Sequence, residues 1–148
     1  MRRAELKVGA EFASATFGPL TIVDTVRWAG VQENTEPIHF DRDFARQNSR
    51  LKSFIASGSY RQALLARMLT ESIGPHGKLL RLRVRHTAPT FEGDTLGYSA
   101  RVREAVLRGD KTEISCDVEG KNQDNEQVLV GSCVLLVATG GASNPIHG

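Results

Sequence analysis

Hydrophobic and polar positions divide this chain near residue 77, with helical spacing dominating before it and two-residue alternation after it. Residues Val8 to Phe17 have a mixed pattern that fits a first extended segment. Gly18-Pro19-Leu20-Thr21 reads as a turn, with Thr21 placed to cap a helix through Ala29. In that helix Ile22, Val23, Val26, Trp28 and Ala29 form an apolar flank, and Gly30 supplies the stop. Val31 to Pro37 is polar and loop-like, and the proline holds Glu36 extended. Asp41 is a suitable N-cap for a short helix through Ala45. The strongest helix signal runs from Tyr60 to Ile73, where Ala63, Leu64, Leu65, Ala66, Met68 and Leu69 spread over much of the circumference. Such a helix is best buried against a sheet.

The remainder alternates as strands: Lys78 to Thr87, Thr95 to Leu107, Lys111 to Val118 and Glu126 to Ala138. Turn signals separate them at Pro89 with Gly93-Asp94, at Arg108-Gly109-Asp110 and at Gly120 to Asn125. In the last strand Val128, Val130, Ser132, Val134 and Leu136 share one face. The other face, Leu129, Gly131, Cys133, Leu135 and Val137, is less polar than a solvated sheet face, so an interface is expected there. One long buried helix followed by a continuous antiparallel meander gives an α+β fold with the sheet curved around the helix. The expected organisation is a single domain over 1–139 and a flexible tail over 140–148.

Composition narrows the function classes. A chain of 148 residues buries about 68% of its unfolded surface, enough for a core without metal or disulfide. Cys116 and Cys133 lie in alternating segments and read as buried, reduced thiols; no metal site or cofactor is expected. No apolar run approaches the ~20 residues of a membrane span. The basic start, Met1 to Lys7, has no apolar stretch behind it, so no secretory signal is expected and the cytoplasm is the default compartment. A net charge of +2 is too small to argue for nucleic acid. Arg81, Arg83 and Arg85 alternate with Leu80, Leu82, Val84 and His86, placing three guanidinium groups on one strand face. That stripe reads as a solvated face, or as a contact for an anionic ligand or a partner subunit. No aromatic platform accompanies it, which disfavours RNA.

The candidate chemistry centres on Pro37-Ile38-His39-Phe40-Asp41, which puts an imidazole at the end of a constrained turn. Asn34 lies five residues earlier. It can hold a water but cannot take a proton at useful pH. Glu33 and Glu36 flank it and are either surface carboxylates or displaced bases. Gly58 stands where the long helix begins, with free amide donors beside it. Ser57 and Ser59 either cap that helix or line a pocket.

These pieces, in order, resemble the MaoC-like (R)-specific enoyl-CoA hydratases and hydroxyacyl dehydratases, which have the hotdog fold. The matching residues are Val26-Arg27-Trp28-Ala29-Gly30, Pro37-Ile38-His39-Phe40-Asp41 with Phe44-Ala45, Ile55-Ala56-Ser57-Gly58, and Val84-Arg85-His86-Thr87-Ala88-Pro89 leading into Phe91-Glu92-Gly93-Asp94-Thr95. The resemblance covers about residues 9 to 138. It implies a helix wrapped by an antiparallel sheet, paired with a second hotdog unit as a homodimer or a heteromer. It also implies an acyl-CoA or acyl-carrier-protein thioester as substrate, with Arg81, Arg83 and Arg85 available to its phosphates. The family's aspartate–histidine pair maps onto Asn34 and His39, and its carbonyl-polarising amide onto Gly58. Two departures are plain: the aspartate position holds asparagine, and the family's histidine before the glycine is Ser57.

Three functions compete on these residues. The first is hydration and dehydration of 2-enoyl and (R)-3-hydroxyacyl thioesters, with His39 as base or proton shuttle. The second is a noncatalytic hotdog subunit that binds thioester or supports an active partner. The third is a hotdog thioesterase with a displaced glutamate as base.

Overall fold

A computed structural model describes residues 6–138. The expected tail over 140–148 lies outside the described residues. Five strands form one antiparallel sheet: β1 (Glu11–Phe17), β2 (Lys78–His86), β3 (Leu96–Arg108), β4 (Lys111–Lys121) and β5 (Gln127–Ala138). Three helices complete it: α1 (Ile22–Val31), α2 (Arg42–Ser49) and α3 (Gly58–Ile73). A 3-10 turn, Pro37–His39, precedes α2. The strand order is β1-β3-β4-β5-β2. Only β3-β4-β5 is a meander; β2 crosses the sheet to pair with β5, and β1 closes the far side on β3. The expected continuous meander is corrected on this point. Turn residues at 89–94 show that the chain leaves β2 but not where it goes.

The long helix lies across one sheet face, as its patterning requires. Leu65, Met68 and Leu69 of α3 are buried with Tyr98, Ala100 and Val102 of β3, Ile114 and Cys116 of β4, and Leu129, Cys133 and Leu135 of β5. Ser57 caps α3 by accepting the Tyr60 amide, and the Gly74 amide closes its end on the Thr70 carbonyl. Register shifts in β1, β2 and β3 mark bulges, which curve a sheet. This is the α+β arrangement the patterning implies.

Several boundaries move for physical reasons. The first helix runs through Gly30 to Val31 and stops where Glu33 turns left-handed at φ 51°. A glycine inside a helix costs only about 1 kcal/mol, so it does not by itself end one. The second helix continues to Ser49 on polar residues that carry no apolar periodicity, and Arg50 ends it in the left-handed conformation. In β2 the bulge between Leu79 and Arg81 turns Leu79 inward and leaves Leu80 50% exposed. In β5 the face of Leu129, Cys133 and Leu135 packs the core, so its apolar character comes from α3 rather than from an interface. Cys116 and Cys133 face each other directly across β4 and β5 as free, buried thiols. Their mutual hydrogen bond, with burial, pushes the Cys116 thiol up and keeps it protonated.

The tightest backbone approach joins β2 to β5 at Gly131. An added Cβ would sit 2.0 Å from the Arg83 carbonyl oxygen and 2.9 Å from the Val84 Cα. At Gly97 the same atom would meet nothing nearer than 3.9 Å. Gly131→Ala should therefore destabilise the fold by about 1–3 kcal/mol or more in urea titration, while Gly97→Ala stays within about 0.5 kcal/mol. Equal effects would contradict the β2–β5 packing.

Candidate active site

The site is assembled around the segment that leads into α3. Ile55 donates its amide to the Ile38 carbonyl at 3.0 Å, and Ala56 donates to the Thr90 carbonyl at 2.9 Å. This rail ties the 3-10 turn to the β2–β3 connection, and Ile55 also bridges Phe91. The His39 Nδ1 lies 2.9 Å from the Ile55 carbonyl oxygen. A carbonyl only accepts, so Nδ1 carries a proton, and in the neutral ring the lone pair is on Nε2. That is the tautomer a general base needs. Three residues on from Ile55, Gly58 opens α3; the Gly58 and Ser59 amides lie ahead of the first intrahelical bond, that from Arg61 to the Ser57 carbonyl.

Asn34 is half-buried, and its Oδ1 accepts the Glu36 amide at 3.0 Å. The side chain thus shapes the turn before His39, with its NH2 group still available to a water. Glu33 and Glu36 are exposed, and neither carboxylate has a partner among the described residues. Ser57 is the α3 cap and lies 3.1 Å from the Ser59 hydroxyl. Ser59 accepts from the Trp28 indole at 3.0 Å and donates to the Gln32 side chain. These contacts make Ser59 a tie between α1 and α3. Arg81, Arg83 and Arg85 are exposed on the face of β2 opposite Val84 and His86. Within one chain they lie across the sheet from Gly58. Leu65 and Met68 belong to the core.

Two residues of the site were not singled out from the sequence. Arg61 is 5% exposed in the first turn of α3, and no carboxylate pairs with it among the described residues. Its Nη1 donates to the Ala88 carbonyl at 2.7 Å, and to Thr90 Oγ1 and the Val128 carbonyl at 3.4 Å. Its Nε is buried without a partner. The signal was present: Arg61 stands four, seven and eight residues before Leu65, Met68 and Leu69, on the buried stripe. His86 is the second. It ends β2 on the inward face, with its Nε2 2.9 Å from the position of a Cβ on Gly58. Its Nδ1 is buried without a partner. Burial, and then the charge of Arg61, hold His86 below the ordinary histidine range.

A shallow cleft of about 180 Å³ between α1 and α3 is lined by Asp24, Arg27, Trp28, Val31 and Tyr60. A larger hollow of about 340 Å³ lies on the outer sheet face, among Ser99, Arg101, Asp117, Glu119 and Val130, away from His39 and Gly58. Among the described residues no group of His, Cys, Asp or Glu converges as a metal site. No helix there is long and apolar enough to cross a membrane.

The model of the MaoC like domain matches residues 5–127. The chain belongs to that family. Similar solved structures carry the hotdog fold across almost the whole chain. The MaoC-like dehydratase from Rhodospirillum rubrum is 24% identical, with a TM-score of 0.79 over 96% of this chain and 99% of that one. The unliganded (R)-hydratase PhaJ1 from Pseudomonas aeruginosa is 26% identical, with a TM-score of 0.74 over 98% and 94%. The ChsH1–ChsH2 complex from Mycobacterium tuberculosis contains a chain 22% identical, with a TM-score of 0.76 over 88% and 98%. No curated protein matches the sequence. In this MaoC-like chain the Gly-Asp-Thr turn is structural: buried Asp94 accepts the Phe91 amide at 2.7 Å and the Gln123 side chain at 2.9 Å.

Two outcomes follow from the contact between His86 and Gly58. Gly58→Ala should cost about 1–3 kcal/mol, because the methyl meets a ring held in a strand, and His86→Ser should relieve most of that cost in the double variant. Additive losses would contradict the contact. A histidine held low binds fewer protons folded than unfolded, so stability should fall as pH drops through ~6.5 toward the folded value. Urea midpoints of His86→Phe should fall less over that window; parallel slopes would contradict the assignment.

Proposed function

We propose that this protein catalyses reversible hydration of 2-enoyl thioesters and dehydration of (R)-3-hydroxyacyl thioesters. The observation that carries this reading is the contact of His39 Nδ1 with the Ile55 carbonyl. With Nδ1 committed to the Ile55 carbonyl, Nε2 is left to act as base, and the carbonyl that holds the ring lies three residues before Gly58. Water placed by the Asn34 amide and His39 would add at C3, with its proton passing to Nε2. The Gly58 N–H would take the negative charge that develops on the thioester oxygen, and a proton would return to C2. In the reverse direction His39 supplies the proton that leaves with water. The (R)-hydratase from Pseudomonas aeruginosa, similar along nearly its full length, supports this reaction class. The thioester would be carried by CoA or an acyl-carrier protein, and a second hotdog subunit, identical or different, would complete the assembly. The complex from Mycobacterium tuberculosis supports the heteromeric form.

A second reading is favoured by one feature. The Asn34 carbonyl is spent on the Glu36 amide, and an asparagine cannot share the proton load with His39. That suits a subunit that holds thioester for an active partner.

Loss of enoyl absorbance on adding the protein to short, long and ring-bearing trans-2-enoyl-CoAs tests both readings. Turnover that falls by about 10² or more in His39→Ala is expected for a hydratase. Glu33→Gln and Glu36→Gln should leave it nearly unchanged, and a collapse in either would make that glutamate the base. No turnover in the natural chain, restored by Asn34→Asp, would establish the supporting subunit.

A further inference from the structure

The outer face of the sheet, away from α3, carries its side chains in rows that the strand register fixes, because cross-strand partners point to the same side. One row is Arg83, Ser132, Asp117 and Arg101, on β2, β5, β4 and β3. A second is Arg85, Val130, Glu119 and Ser99, and a third is Lys78, Leu136 and Glu113. Along the strands, β2 is thus basic and exposed at Lys78, Arg81, Arg83 and Arg85, while β4 is acidic at Glu113, Asp117 and Glu119. Between them β5 presents half-buried Val130, Ser132, Val134 and Leu136. The guanidinium groups of Arg81, Arg83 and Arg85 have no partner among the described residues. The carboxylates do: Asp117 pairs with Arg103 at 3.2 Å, Glu119 with Lys121 at 3.2 Å and Glu113 with Arg108 at 3.7 Å. Such surface pairs are weak, and a carboxylate has lone pairs for a second cation.

This face is complementary to itself. A two-fold axis parallel to β5, set between two facing sheets, lays β2 of each chain over β4 of the other and β5 over β5. Such an axis preserves position along the strands, so the rows stay matched: Arg83 meets Asp117, Arg85 meets Glu119 and Lys78 meets Glu113, each pair made twice. Val130, Ser132, Val134 and Leu136 meet their own copies between the charged rows. A two-fold axis across the strands would instead stack β2 on β2, arginine on arginine. Packed sheets lie ~10 Å apart at an angle of about 30°, a gap that an arginine and a carboxylate together span. The central pair, Arg83 with Asp117, is the least displaced by that angle. A hollow of about 340 Å³ lies at the landing place, centred on Asp117, Val118 and Glu119 of β4 and flanked by Ser99 and Val130. We propose that the outer sheet face is an interface with a second copy of this chain, related to it by a two-fold axis along β5, with Arg83 and Arg85 entering that hollow. A polyanion fits less well, because it would gain nothing from the valine seam and would meet three carboxylates two strands from the arginines. The inference is independent of the thioester reading.

Sedimentation velocity of the full chain over a dilution series at low salt tests the proposal. Arg83→Glu and Asp117→Arg each turn both copies of the central pair into like charges, and each should weaken the wild-type association by about 10²-fold. An equimolar mixture of the two variants should restore it, because each supplies the charge that the other lacks. The double variant Arg83→Glu/Asp117→Arg should associate by itself for the same reason. Both positions are exposed, and circular dichroism checks that every variant keeps the fold. Ser132→Cys, close to the axis, should cross-link to its own copy with a bismaleimide that spans ~10 Å, since Cys116 and Cys133 are buried. Wild type and both single variants with the same mass would overturn the proposal, whether the chain is then a monomer or assembles through another surface. Single variants that dissociate but do not recover on mixing would overturn it too, as would Ser132→Cys that associates without cross-linking.

Discussion

A buried guanidinium with no carboxylate to neutralise it among the described residues fixes the geometry on which the rest of the fold depends. Arg61 reaches from the first turn of α3 to carbonyls in the β2–β3 connection and in β5. Its own carbonyl accepts the Tyr98 hydroxyl of β3 at 3.1 Å. One residue thereby relates the amino end of the long helix to three parts of the sheet. A lone buried charge is costly, and backbone oxygens offset that cost only when they are held in place. The sheet holds them. The helix therefore cannot slide or rotate at its start without stranding the charge, while packing along Leu65, Met68 and Leu69 fixes the rest of it.

The candidate site is built on that anchoring. The same β2–β3 connection that receives Arg61 receives the Ala56 amide through Thr90, so the rail before α3 and the helix itself are located by one loop. The Ile55 carbonyl on this rail orients His39, and the end of β2 brings His86 against Gly58. His39 and His86 are thus held by backbone positions of neighbouring segments, the Ile55 carbonyl and the end of β2. Outside this centre, Arg42 pairs with Glu92 and holds its carboxyl below the usual range, tying α2 to the same loop. The Trp28–Ser59–Gln32 contacts tie α1 to the first turn of α3.

Much of this was legible in the sequence, and the failures have causes. Periodicity locates α3 and the strands, and residue type offers Ser57 and Ser59 as caps or pocket lining, of which Ser57 is the cap. The resemblance places His39 and Gly58 at one centre, and the fold agrees with its hotdog architecture. Strand order is a long-range property that turn residues do not encode, so the pattern predicts a meander one strand too long. The Leu79–Arg81 bulge shifts the inward face by one residue, which alternation cannot reveal, and Leu80 was assigned inward for that reason. The two faces of β5 have similar hydropathy, so only the position of α3 tells core from exterior. Arg61 inside an apolar pattern reads as an interruption, and His86 reads as one more position on the inward face of β2 and in the family's motif. On a buried stripe Arg61 is a structural requirement.

The central claim is that the amino end of α3 polarises a thioester carbonyl that His39 then serves. Infrared spectroscopy of a saturated acyl-CoA bound to the protein, labelled with carbon-13 at the thioester carbonyl, measures that polarisation without any turnover. The account predicts a carbonyl stretch shifted to lower frequency on binding. A bound thioester whose stretch matches that of the free compound would contradict it.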